Sequence, residues 1–131
     1  MALSGTIEQA ILNHFLGASS YAFVGTIYCA LFTTTPTMPA GTGGTEVSGG
    51  AYARQAMAFT TTGTGPAVAS NSALVQFPTA TASWGTINGA GLYTALTGGT
   101  LIDAGALAVS KVIGTGDTFA FPIGNYTVNQ Q

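Results

Sequence analysis

The sequence predicts an all-β chain: a jelly-roll-like antiparallel β-sandwich that carries one short N-terminal α-helix. Three observations predict it. Apolar residues alternate with a period of two in short runs. Glycine, proline and Asn-Gly signals break those runs every 8 to 12 residues or so, as in sandwiches and jelly rolls. A helical period shows at one place, near the N-terminus, and no strand-helix alternation of the α/β kind follows it. At 131 residues the chain is expected to be one domain over 1–131, a helical segment at 1–17 followed by the sandwich at 18–131.

The elements follow in order. Ser4 can cap a helix over about Gly5 to Leu16, because Ile7, Ile11, Leu12, Phe15 and Leu16 recur at helical spacing and Gly17 supplies a stop. Its face of Ile7, Ile11 and Phe15 either covers an end of the core or docks on a neighbouring subunit; Glu8, Gln9 and Asn13 lie on the polar side. The run "YAFVGTIYCALF", Tyr21 to Phe32, is too short for a membrane-spanning helix. Within "GTIYCALFTT", Ile27, Cys29 and Leu31 fall on one face and Tyr28, Ala30 and Phe32 on the other, which predicts a central strand buried on both sides.

Thr33 to Glu46, with Pro36 and Pro39 among glycines and threonines, reads as a long exposed loop. "AYARQAMAFT" predicts a second strand, "TTTGTGPAVAS" a linker, "NSALVQFP" a third strand stopped by Pro78, and "ATASWGTI" a fourth carrying Trp84. Asn88-Gly89 and Gly98-Gly99 are hairpin signals, and "NGAG" leaves open whether Asn88-Gly89 is a turn or part of a continuous strand. "GLYTAL" and "TLIDAGALAVSKVI" supply further strands, "GTGDT" a turn, "FAFPIG" an edge strand, and "NYTVNQ" a last strand or tail. The total is seven to nine strands.

Charge is scarce. Hydrophobic residues make up 47%, an ordinary share, but charged residues make up 5%, against roughly 25% in soluble domains. A folded monomer of this mass exposes on the order of 6,400 Å², so its six formal charges amount to roughly one per 1,000 Å². Weakly charged surfaces associate, which predicts a homo-oligomer. A net charge of −2, with Arg54 and Lys111 as the two fixed cations, excludes a phosphate-binding footprint and argues against direct nucleic-acid contact. The lone Cys29 cannot form an internal disulfide. The start "MALSGTIEQ" has no basic n-region and meets Glu8 early, which argues against a signal peptide and, with it, against a membrane barrel.

No residue constellation points to chemistry. One histidine, His14, cannot build a two-histidine metal site, and Cys29 sits in the most apolar strand with no activating base in view. Asp103 with Asp117 or Glu46 could in principle form a glycosidase pair, but acids at loop tips mostly serve turns, and Asp117 in "GTGDT" fits that role. "GTGGTE" lacks the Gly-Lys-Ser/Thr ending of a phosphate loop. The expectation is therefore no enzyme, no catalytic residues, no cofactor and no metal. Glu46 and Arg54, eight residues apart across Gly49-Gly50, stand out as a structural clasp or an interface pair.

The succession "ALFTTTPT", "GTEVSGGAYARQ", "ATASWGTI" and "GDTFAFPIGNYTV", spaced from Ala30 to Val128, resembles a family of small tailed-bacteriophage structural proteins. These are often labelled tail fibre proteins, and they are similar to capsid decoration, or cement, proteins with a jelly-roll fold. The resemblance implies a virion subunit without enzymatic activity, made in the host cytoplasm. It would be carried on the outer surface of the capsid, where it binds the major capsid protein and further copies of itself, as a dimer or trimer. The alternative is a tail-fibre or baseplate-associated module that is structural or binds a host receptor.

Overall fold

The computed structural model describes residues 2–19, 25–63 and 68–129. It is an all-β antiparallel sandwich with one short helix, in the order β1 (Ala2–Leu3), α1 (Gly5–Phe15), β2 (Ile27–Thr34), β3 (Thr45–Glu46), β4 (Gln55–Met57), β5 (Phe59–Thr62), β6 (Val68–Asn71), β7 (Val75–Gln76), β8 (Gly85–Tyr93), β9 (Leu101–Ile113), β10 (Ala120–Phe121) and β11 (Thr127–Asn129). The largest sheet runs β1-β9-β8-β2-β3, with β4 also on β2; β10-β7 and β11-β6-β5 form two smaller sheets.

The main core lies between one face of the large sheet and the smaller sheets. Cys29, Leu31, Ile87 and Leu92 supply the first side, and Val75, Phe77, Phe119, Phe121 and Tyr126 the second. Aromatic rings meet edge to face through this layer, among them Phe119 with Phe121 and Phe121 with Tyr126. On the other face of the large sheet, Ala30, Phe32 and Ala104 make a smaller cluster backed by Met38, Tyr93 and Leu101. β2 is thus buried on both sides, as its two-faced apolar pattern predicts. Tyr21 to Val24, at the head of the apolar run, lie outside the described residues.

Several boundaries differ from the sequence reading. The "TTTGTGPAVAS" segment contains the ends of two paired strands, β5 and β6, with Thr60 opposite Ser70. β-branched threonines suit a half-exposed pleat, so the threonine-glycine composition misleads here. The second strand is short and splits at Ala58, leaving Tyr52–Arg54 outside any strand. Of "NSALVQFP", Val75–Gln76 alone is β7, while Asn71 ends β6. The loop after β2 carries a Thr37–Thr42 bridge and ends in β3, which pairs with β2.

Of the two readings open for Asn88-Gly89, the continuous strand is the one that forms. The pair is no hairpin but lies within β8, at a register shift where Ile87 faces Lys111 and Gly89 faces Ala106. Asn88 donates from Nδ2 to the Thr33 carbonyl at 2.8 Å and accepts from Ser110 Oγ at 2.7 Å, so it stitches β8 to both neighbours. The glycines make room rather than a turn: a Cβ on Gly91 would fall 2.8 Å from the Phe32 ring. The Gly98-Gly99 signal does mark the β8–β9 hairpin, and both glycines have positive φ.

Candidate functional site

The Glu46–Arg54 pair lines an open cleft of about 450 Å³ together with Ser48, Tyr52, Leu96 and Gly98. Local structure puts the two side chains together. Gly49, Gly50 and Ala51 all have positive φ, which reverses the chain between β3 and Tyr52. The turn is held from outside by Trp84 Nε1, which donates to the Gly50 carbonyl at 2.9 Å, and by the Thr81 amide, which donates to the same oxygen at 3.0 Å.

Arg54 is almost fully engaged. Its Nε donates to Glu46 Oε1 at 2.9 Å, and a nitrogen of the guanidinium fork donates to Oε2 at 2.8 Å. The other fork nitrogen donates to the carbonyls of Ala95 and Gly98, both in the β8–β9 connection, at 2.9 and 2.8 Å. The guanidinium carbon sits 3.7 Å above the centre of the Tyr93 ring. This is the one salt bridge among the described residues, with side-chain exposures of 9% for Arg54 and 24% for Glu46. Burial works against the cation, but the Glu46 carboxylate outweighs it and holds the Arg54 pKa above its ordinary value.

Tyr52 completes the joint. Its hydroxyl accepts from the Leu31 amide at 3.0 Å and reaches Glu46 Oε1 at 3.4 Å, while its ring stacks on Phe77 and meets the Trp84 edge. Burial pushes the Tyr52 phenol well above its usual range, so it stays neutral. Chemically the arrangement is a clasp: it ties β3, the Gly49-Gly50 turn and the β8–β9 connection together, and its polar groups are engaged by one another rather than turned outward to a ligand.

The predicted helix face divides. Ile7 is buried, Ile11 is half-buried, and Phe15 is 76% exposed, beside Leu12 at 59% and Leu16 at 79%. The inner end of α1 therefore belongs to the chain's own packing, and its outer end is an apolar tip. His14 is exposed and meets Phe15 edge to face at 5.6 Å. Between β2, β4, β5 and β7 there is a second concavity, of about 590 Å³, lined chiefly by apolar groups that include Ile27, Met57, Phe59 and Leu74.

The acids weighed as a glycosidase pair hold structural posts. Asp117 Oδ2 accepts from the Gly114 amide at 2.8 Å within its turn, as the sequence suggests. Asp103 is completely buried in β9 and bonded to the Tyr126 hydroxyl at 2.8 Å, out of reach of a polysaccharide. Cys29 is a buried thiol raised well above its usual pKa, by burial first and by Asp103 second.

Sequence reasoning missed Asn71. It is buried, donates from Nδ2 to the carbonyls of Ala73 and Pro122, each at 2.9 Å, and accepts from the Tyr126 amide at 2.9 Å. Nothing in the run "NSAL" announces partners some 50 residues away. Among the described residues, no group of three or more His, Cys, Asp and Glu side chains comes together, and no helix is long and apolar enough to cross a membrane.

A β-sandwich whose charged pair braces loops, with an apolar tip and an apolar cleft on a sparsely charged exterior, has the makings of a structural protein. The comparison with known families supplies the class: the chain is a phage structural protein and a virion component. It belongs to the family described as podophage GP4 fiber I protein gp80, whose model matches residues 2–129. No curated protein matches the chain.

Proposed function

We propose that this chain is a structural module of a phage fibre, that it works by contact rather than by catalysis, and that it assembles with further copies of itself. The observation that carries this reading is the family match, which spans nearly the whole chain and is described as a fibre protein. That description favours the tail-fibre alternative over the capsid-cement role suggested by the sequence motifs. The scarcity of charge and the posts held by Glu46, Asp103 and Asp117 support a role without chemistry.

In this reading the exposed helix tip of Leu12, Phe15 and Leu16 is a contact element, and the uncharged cleft beside Leu74 is its seat on the next copy. Burying an apolar side chain of this size contributes about 1.5–3 kcal/mol, against association costs of several kcal/mol. Such a contact is modest alone and gains strength by repetition in an assembly. A tip on one face meeting a cleft on another is a heterologous interface, which closes into a ring or extends as a filament.

Two experiments test the proposal. In electron micrographs of virions labelled with gold-conjugated antibody, gold is expected on the tail appendages; hundreds of copies spread over the head would overturn the fibre reading. In sedimentation velocity at pH 7.5, the double variant Leu12→Ser/Phe15→Ser is expected to run as a monomer with an unchanged far-ultraviolet dichroism spectrum. An unchanged oligomer mass would remove the helix tip from the interface.

A further inference from the structure

Asp103 is the most deeply buried acid in the chain. Its exposure is 0%, its Oδ1 accepts the Tyr126 hydroxyl, and its Oδ2 has no hydrogen-bond partner. A buried carboxylate oxygen with no donor is costly to keep ionised. The position of this acid is equally telling. Asp103 stands opposite Leu3 of β1, and the neighbouring carbonyls on β9 hold the foot of α1: the Ser4 amide donates to Ile102 at 2.7 Å and Ser4 Oγ donates to Leu101 at 2.6 Å. Ser4 is also the N-cap of the helix.

The arm made of β1 and α1 is lightly fastened. β1 is two residues long, Ile7 is the one buried apolar residue of the helix, and the remaining backbone tie at its foot is the Gly5 amide to the Pro39 carbonyl. β1 is the edge strand of the large sheet beside Asp103, whereas the Tyr126 that meets its carboxyl is fully buried, so lifting β1 opens the sheet at the edge nearest this acid.

We infer that Asp103 is a proton-controlled latch on the N-terminal arm: the neutral carboxyl keeps β1 and α1 seated, and ionisation favours their release. Among the described residues, the titratable groups that face it are Tyr126 and Cys29 on β2. Burial keeps both the phenol and the thiol well above their usual ranges, so they stay neutral while Asp103 titrates. Burial likewise raises Asp103, and the Tyr126 hydrogen bond offsets this in part, leaving its pKa at about 6 against 3.8 in the open chain.

The sign follows from the raised value. The seated arm binds the proton more tightly than the open one, so the latch holds fully below about pH 4 and weakens as pH rises through about 6. If opening hydrates the carboxyl completely, the open population grows by up to about 50-fold between pH 4 and pH 7. The consequence for assembly rests on α1 being the contact element proposed above. The latch itself does not.

Hydrogen exchange on the full chain tests it. After correction for the intrinsic pH dependence of exchange, protection of the Ser4, Gly5, Ile7 and Glu8 amides is expected to fall by up to about tenfold from pH 5 to pH 7.5. In Asp103→Asn it should change less than twofold. Tyr126→Phe removes the donor that favours the carboxylate and should move the midpoint to higher pH, which keeps the test open if Asp103→Asn fails to fold. Equal protection at both pH values, an unaltered profile in Asp103→Asn, or an unmoved midpoint in Tyr126→Phe would each overturn the latch. Sedimentation at the same two pH values separates the two ideas: an arm that opens without any change in assembly mass leaves the latch standing and removes α1 from the interface.

Discussion

Arg54 illustrates how one side chain can organise three segments. It meets a carboxylate, two backbone carbonyls and an aromatic face, so no smaller or singly donating residue can replace it. Arg54→Met keeps the stem but strands Glu46 and frees the Ala95 and Gly98 carbonyls; it is expected to cost about 2–4 kcal/mol, read by urea denaturation. Arg54→Lys should recover less than half of that, since a single ammonium cannot serve both the carboxylate and the hairpin. Gly91→Ala is a second test, because the added methyl meets the Phe32 ring and the Asp103 carbonyl, each at 2.8 Å. A loss of about 1–3 kcal/mol is expected, and a neutral result would mean that β8 and β2 can separate at little cost.

Among the elements, the irregular strands depend on side chains that reach far along the chain. Asn71 anchors the 122–126 segment to the end of β6, and Asn71→Ala removes an acceptor and a donor from an almost fully buried site. The expected cost is about 2–4 kcal/mol, with faster hydrogen exchange at Tyr126 and along β11 before the rest of the sandwich. Elements with local signatures were legible in the sequence: α1 from its Ser4 cap and apolar spacing, β2 from its two-faced alternation, and the β8–β9 hairpin from Gly98-Gly99. Those that failed had signals with two physical meanings. Asn88-Gly89 is a turn pair when the chain must reverse, but in β8 Gly89 makes room for Thr35, just past the end of β2, and Asn88 bridges to Thr33 and Ser110.

For the whole molecule, buried Asp103 ties stability to pH. With its pKa raised from 3.8 to about 6 in the folded state, its contribution is greatest below about pH 4 and is lost as pH climbs through 6, to the extent of up to about 3 kcal/mol. Melting temperatures should therefore be higher at pH 4.5 than at pH 7.5, and Asp103→Asn should flatten that difference; a wild-type melting point independent of pH would contradict the assignment. The sequence by itself determined the all-β class, the single helix, the central strand, the weakly charged exterior and the eight-residue spacing of Glu46 and Arg54, because each follows from local periodicity or from composition. Tertiary structure alone decided that Arg54 clasps the β8–β9 connection, that Asn71 pins a segment some 50 residues away, that Asp103 lies buried against Tyr126 beside the edge strand β1, and which end of α1 is left bare. Those outcomes depend on which distant strands come to lie side by side, and strand pairing is set by the packing of the whole core rather than by any run of neighbouring residues.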